Sequence, residues 1–228
     1  MNILITGASR GIGLATAKQL DTSKNKLFLV ASSKDSFKDT FKNAVFFGAD
    51  GTKAQELTRL AAEVAGQAES IDVLINNVGV MVMKKFEQLS EDDINLMLDL
   101  NLRSHMLLTH ALLPVLRKSG NPQIVFMSSM AAKSSIVGES VYAATKGGIT
   151  NFANVLRNEL GPAIRVSAVH AWGVDTWGAP KPEEFIQPAD IAATMEFIIT
   201  RPPTVMVESI DLSNPIQWRG GQAPWSPV

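Results

Sequence analysis

No cysteine occurs among the 228 residues, which excludes a disulfide, a thiolate nucleophile and a thiolate metal site. Histidine is nearly as scarce. His105, His110 and His170 are scattered, and the first two lie five residues apart, off the i,i+4 register that would set two imidazoles on one helix face. We expect no metal site and read His105 and His110 as packing or rim residues. A charge excess is missing too: the formal net charge is −1, so no broad basic surface is expected and nucleic acid is not an expected partner. No apolar run reaches the length needed to span a bilayer. The first residues enter a strand without a basic segment followed by an apolar one. The expectation is a cytoplasmic protein with no membrane partner. No internal repeat, low-complexity block or domain boundary is visible. We expect one domain over 1–228, with 212–228, rich in Pro, Gly and Trp, as a tail that carries Trp218 and Trp225.

Short apolar runs alternate with helix-compatible stretches. Strands are expected at 2–5, 26–31, 44–47, 72–75, 124–128, 164–169 and 205–210. Helices are expected at 14–20, from Ser90 to about Lys118 with Gly120 as its stop and a kink at Pro114, at 140–160 before Gly161-Pro162, and at 188–200. The fold class is therefore α/β, a Rossmann-type, doubly wound, mostly parallel sheet of about seven strands flanked by helices.

The first strand runs into Thr6-Gly7-Ala8-Ser9-Arg10-Gly11-Ile12-Gly13 and then a helix. Strand, glycine-rich turn and helix form the context for a pyrophosphate site, because glycines admit close approach and a helix N-terminus offers free N–H groups. The second strand ends in Ser32-Ser33-Lys34, with no acidic residue before Asp35. An acid there would bind a ribose 2′-hydroxyl, whereas hydroxyls and cations suit a 2′-phosphate. Arg10 and Lys34 thus favour NADP(H), with NAD(H) possible and a solvated loop lysine the competing reading of Lys34. Asp50 follows the third strand and suits either an adenine amino group or a turn, with Thr52 as an expected helix cap. After the fourth strand, Asn76-Asn77-Val78-Gly79 offers amides that tie loops together and a glycine that leaves room for a ring; 80–83 form an apolar loop.

Tyr142 and Lys146 stand four residues apart on an expected helix, so their side chains share a face. A nearby ammonium stabilises a phenolate, which would make Tyr142 a better acid and base near neutral pH. Thirteen residues before the tyrosine, Ser129 closes an apolar strand, and the three together make a proton-relay site. Asn101 is a polar amide in a leucine-rich helix and needs a partner.

These pieces, in this order, resemble the short-chain dehydrogenase/reductase family over nearly the whole chain: Thr6-Gly7-x-x-x-Gly11-x-Gly13, Asp50, Asn76-Asn77-Val78-Gly79, Asn101, Ser129, Tyr142-x-x-x-Lys146 and Gly173-x-x-Thr176. The resemblance implies an NADP(H)-dependent enzyme interconverting a small-molecule carbonyl and alcohol. It implies Tyr142 as acid and base, Lys146 on the nicotinamide ribose and lowering the tyrosine pKa, Ser129 on the substrate oxygen, and Asn101 anchoring a water. Cofactor contacts would come from Gly7, Ser9, Arg10, Gly11, Ile12 and Gly13; from Ser32, Ser33 and Lys34; from Asp50 and Gly51; from Asn77, Val78 and Gly79; from Tyr142 and Lys146; and from Gly173, Val174 and Thr176. It further implies a homodimer or homotetramer, which the apolar surround of Leu96 to Leu116 fits. Two departures stand out: Trp172 replaces the family's usual proline, and Val78 its alanine. The loop 177–187 is short for the family, and 210–217 bears a faint likeness to the family's hydroxy-acid and hydroxy-amino-acid dehydrogenases. Two other functions stay open: a non-catalytic dinucleotide-binding regulator, and a C=N or C=C reductase in which Trp172 and Trp177 stack on a flat ring. Lys133 suits either an acidic substrate or open solvent.

Overall fold

The computed structural model describes residues 1–216; Trp218 and Trp225 lie outside them. Seven strands form one parallel sheet: β1 (Asn2–Thr6), β2 (Lys26–Ala31), β3 (Ala44–Gly48), β4 (Val73–Asn76), β5 (Gln123–Met127), β6 (Arg165–Ala171) and β7 (Ser209–Leu212). Their spatial order is β3-β2-β1-β4-β5-β6-β7. The chain works outward from β1 in one direction and then returns to start again at β4. The crevice at the carboxyl ends of β1 and β4 is therefore the switch point where such sheets bind ligands.

Six helices cover the sheet: α1 (Gly11–Leu20), α2 (Ala54–Gln67), α3 (Glu91–Leu98), α4 (Ser104–Leu116), α5 (Ser140–Leu160) and α6 (Pro188–Ile199). Strand residues alternate between two cores, as period-two geometry requires. Leu4, Phe28, Ile124 and Phe126 pack with Leu60 of α2, Leu112 of α4 and Ile149 of α5. Ile3, Ile5, Leu27 and Val125 pack with Leu20 of α1 and Met195 of α6 on the other face. Burial on both faces explains why β1, β2 and β5 read as continuous apolar runs. Among the described residues no helix is long and apolar enough to cross a membrane.

Four expectations shift. The seventh strand starts at Ser209, because its parallel register on β6 begins at Ala168. Val205 instead sits in a turn, its N–H donating to Pro202 O (2.9 Å) and its carbonyl accepting from Arg165 Nη1 (2.6 Å). Leu212, assigned to the tail, is the last residue of β7 and lies opposite Ala171. The long helix expected from Ser90 is broken by a π-helical turn over Asp99–Arg103, and its second part ends at Leu116, before Gly120. Thr52 does not cap α2; the cap position is Lys53, and Asp50 Oδ1 accepts from the Thr52 N–H (3.0 Å) and hydroxyl (2.8 Å).

Candidate active site

A cleft of about 1110 Å³ runs along the carboxyl ends of the strands, from Ser32 and Asp50 at one end, past the glycine loop, to Tyr142 and Trp177 at the other.

Its nucleotide side is built around Thr6. The Thr6 hydroxyl accepts from the main-chain N–H groups of Asn77 (2.9 Å) and Val78 (3.1 Å), while Asn77 Nδ2 donates to Thr6 O (2.9 Å). The loops after β1 and β4 are thereby tied together, as the asparagine pair predicts. Gly7 and Gly11 hold φ of 65° and 55°, a left-handed region that favours glycine. Gly7, Ser9, Arg10, Gly11 and Ile12 line the cleft, and Gly13 does not. A Cβ at Gly13 would stand 2.2 Å from Gly7 O and 2.6 Å from Asn77 Nδ2, so this glycine serves the packing of α1 behind the loop.

The start of α1 differs from the starts of α3 and α6. At α3 Ser90 and Asp93 form a capping box, and at α6 the Asp190 carboxylate accepts from Gln187 N (3.0 Å). Arg10, at the cap position of α1, makes no side-chain cap, and the first turn holds no acid. The first-turn N–H groups therefore face the cleft without a side-chain acceptor, an arrangement that fits an anion such as a pyrophosphate.

The predicted cofactor residues divide. Ser32, Asp50, Gly51, Asn77, Val78, Gly79, Gly173, Val174 and Thr176 line the cleft; Ser33 and Lys34 do not. The Ser33 hydroxyl accepts from Asp35 N (3.2 Å) and opens a short 3-10 turn containing Lys34. Asp50 is a turn aspartate in its hydrogen bonds as well as a cleft residue. Those bonds from Thr52, with Lys53 at 3.2 Å, hold its carboxyl below the usual carboxylate range.

On the reaction side, β5 ends beneath α5. Lys146 is 3 % exposed, its ammonium donates to Met127 O (2.8 Å), and it lies 5.8 Å from the centre of the Tyr142 ring. Burial with no neighbouring anion lowers its pKa from 10.5 to about 8. Ser128 and Ser129 both border the cleft but differ in their bonds. Ser128 bonds the Lys146 carbonyl (3.1 Å) and the Thr150 hydroxyl (2.8 Å) inside the protein. Ser129 faces the cleft, accepting from Ala131 N (3.1 Å). Asn101 has its partners: Oδ1 accepts from Val80 N (2.8 Å), and Nδ2 donates to Val80 O (2.8 Å) and Thr145 Oγ1 (3.2 Å). The π turn carries this amide between the β4 loop and α5.

The expected depression of the Tyr142 pKa is not produced by the protein's own groups. Burial pushes the phenol up, a hydrogen bond with Ser129 offsets this only in part, and the negative charge of Glu139 adds to the rise. The ammonium sits over the ring, 5.8 Å from its centre, but is bonded to Met127 O and not to the phenol oxygen, so desolvation wins.

Lys133 is paired with Asp211 (2.7 and 2.8 Å) outside the cleft wall. Trp177 packs edge-on against Phe185, with ring centres 5.1 Å apart. Its loop is ordered by Asp175 Oδ1, which accepts from the N–H groups of Trp177, Gly178 and Ala179. The roles of Thr6 and Glu139 escaped the sequence reading, whereas His105 is packed as expected. Thr6 is the knot of the nucleotide side. His105 closes the floor, its Nε2 2.8 Å from Val78 O and burial lowering its pKa to about 3. Glu139, three residues before the tyrosine, is an acid in the cleft wall; an acid at a helix start beside an apolar loop was the available signal.

A sequence model described as short chain dehydrogenase matches residues 1–184. The NADP-dependent 3-hydroxy acid dehydrogenase of Schizosaccharomyces pombe is 30% identical over 90% of this chain and 89% of its own. Ketoacyl reductase HetN of Nostoc is 31% identical over 73% of this chain, and the match spans 61% of the Nostoc protein. Among solved structures, an alcohol dehydrogenase from Thermococcus sibiricus complexed with 5-hydroxy-NADP superposes with a TM-score of 0.87 at 25% identity, covering 96% of this chain and 98% of that one.

Proposed function

The chain belongs to the short-chain dehydrogenases, and from that premise we propose that it is an NADP(H)-dependent oxidoreductase interconverting a small-molecule carbonyl and its alcohol. One observation carries the reading: Ser129, Tyr142 and Lys146 meet in the same cleft that the uncapped start of α1 and the glycine loop open onto. The NADP named for the fission-yeast relative and in the Thermococcus complex supports the cofactor.

The dinucleotide, when bound, supplies or accepts the hydride. The chain's residues do the rest. The N–H groups of Gly11 and Ile12 and the loop before them would hold the pyrophosphate, and Arg10 would serve the 2′-phosphate. Asp50 and Gly51 would flank the adenine, Gly79 leaves space beside Asn101 and Lys146 for a ring, and Gly173, Val174 and Thr176 line the far wall. In reduction Tyr142 donates its phenolic proton to the substrate oxygen; in oxidation it takes that proton back. Ser129 donates a hydrogen bond to the same oxygen as charge develops on it. A phenol whose pKa is raised by burial is fully protonated at neutral pH, which readies it for reduction. Lys146, cationic below about pH 8, holds ribose hydroxyls and is positioned by Met127.

A carbonyl and alcohol panel followed by nicotinamide absorbance, with NADPH and NADH in parallel, tests this. NADPH-linked turnover is expected, and Arg10→Ala should erode the preference over NADH by about tenfold, the worth of one exposed charge-assisted contact. No turnover with either nucleotide would refute the reading. We further propose association into a dimer or tetramer through the exposed Leu96, Leu98 and Val155 of α3 and α5; a light-scattering mass of one chain would refute it.

A further inference from the structure

Glu139 is 5 % exposed and lines the cleft one helical turn before Tyr142. A buried carboxylate ordinarily has a cation or several N–H partners. This one has neither among the described residues: no ion pair includes it, and although it stands at the cap position of α5, it makes no cap hydrogen bond. Its place is fixed by main chain. Gly138, at φ 90°, accepts from Lys84 N (3.1 Å), and Glu139 N donates to Ile136 O (3.2 Å), so the loops before α3 and α5 close one wall around it.

The nearby cations are spoken for. Lys133 is held by Asp211 and Lys84 by Asp93 (2.7 Å), and neither lines the cleft. The charged side chains of the lining are Arg10, Asp50, Glu139 and Lys146. Arg10 and Asp50 belong to the nucleotide side and Lys146 is bonded to Met127 O. Among the described residues the substrate side, otherwise walled by residues such as Met81, Met83, Ala131 and Ile136, thus presents one charge, and it is negative.

We propose that Glu139 is a specificity-determining residue that receives a protonated amine carried next to the substrate's carbonyl, so that the substrate class is amino ketones or amino alcohols rather than hydroxy acids. The inference rests on the carbonyl–alcohol reading of the same site. An ammonium between the apolar walls restores the partner that burial denies the carboxylate; burial alone raises its pKa. A carboxylate-bearing substrate would meet repulsion at the same place.

The test compares 2-amino-1-phenylethanone, propiophenone and benzoylacetate, which share a phenyl ketone and differ in the charge of the group beside the carbonyl. Wild type should prefer the amine over the neutral ketone by about ten- to a hundredfold in kcat/KM, the worth of a hydrogen bond to a charged group. In Glu139→Gln that ratio should fall toward one, and in Glu139→Lys the preference should turn to benzoylacetate. Dinucleotide titration and a melting curve identify a variant that has failed to fold; Glu139→Asp then supplies the intermediate ratio. Calorimetric titration of 2-amino-1-phenylethanol gives a readout independent of turnover. Binding that is lost in Glu139→Gln carries the subsite even if no panel member is reduced, in which case the redox reading alone fails. Turnover of the neutral ketone without an amine preference, a ratio unchanged in Glu139→Gln, or a wild-type preference for benzoylacetate overturns the subsite and leaves the redox reading standing.

Discussion

At the β1–β4 side of the cleft the wall is largely main chain: glycines at left-handed φ, N–H groups at the start of α1, and two loops knotted on one threonine hydroxyl. Among the described residues, at the β5–β6 side and the loop facing it, it is side chains: a phenol, an ammonium, three methionines, two tryptophans and one carboxylate. Main-chain recognition serves a ligand that does not change, since its donors are fixed by fold and cost no rotamer entropy. Side-chain recognition can be exchanged residue by residue without unfolding the sheet. The comparison therefore predicts that substitutions on the first side alter stability and nucleotide binding together, whereas those on the second, the buried Lys146 apart, alter chemistry and selectivity.

The sharpest break would come at Tyr142. Tyr142→Phe removes one oxygen and keeps the ring beneath Lys146. Turnover should fall by about 10²- to 10⁴-fold, the range for a positioned acid or base, with dinucleotide affinity retained in a fluorescence titration. Equal loss of both would erase the distinction between the two sides. Gly13→Ala is the opposite case. The added Cβ meets main chain at 2.2 Å, which cannot swing aside as a side chain would, so α1 must shift off the loop. Stability should drop by about 1–3 kcal/mol in denaturant melts, and NADPH binding should weaken with it although Gly13 does not line the cleft.

Lys146 sharpens the contrast through pH. Its folded pKa of about 8 lies below 10.5, so the fold disfavours the protonated form. The cost is present in full below pH 8. It is relieved between pH 8 and 10.5, where the folded chain has lost a proton that the unfolded chain keeps, and stability from this group rises with pH across that window. The span is on the order of 3 kcal/mol, from about 1.4 kcal/mol per unit. Lys146→Met should flatten this rise. The slope is the readout, because the variant also strands Met127 O.

What could be read in advance follows the range of the interaction. The glycine loop, the Tyr142–Lys146 pair and the α3 cap are set by spacings of a few residues, and the structure places them as the spacing requires. The sheet was legible because buried parallel strands are apolar throughout. Contacts across long separations were not. Nothing local says that Lys133 will be neutralised by Asp211, 78 residues on, or that Asn101 will bond Val80 and Thr145. Glu139 had a local signal as an acid at a helix start, but the bond from Lys84 N to Gly138 O that closes the wall beside it did not. Val205 to Val207 have strand composition, but Arg165 captures the Val205 carbonyl and the register on β6 begins later.

Thr6 gives the smallest effect and the cleanest test of whether the nucleotide side is held by hydrogen bonds or by shape. Its hydroxyl accepts two N–H bonds and is only 3.5 Å from Ile75 O, its weakest contact. Thr6→Val keeps the volume and removes the acceptor, leaving two partly buried donors unpaired at a cost of about 1–3 kcal/mol. Thr6→Ser keeps the oxygen and removes a methyl, costing about 0.8 kcal/mol. If hydrogen bonding holds the loops, valine is the worse substitution, NADPH affinity falls with stability, and turnover at saturating cofactor is preserved. If shape holds them, serine is the worse one, and the first wall of the cleft is built on the same terms as the second.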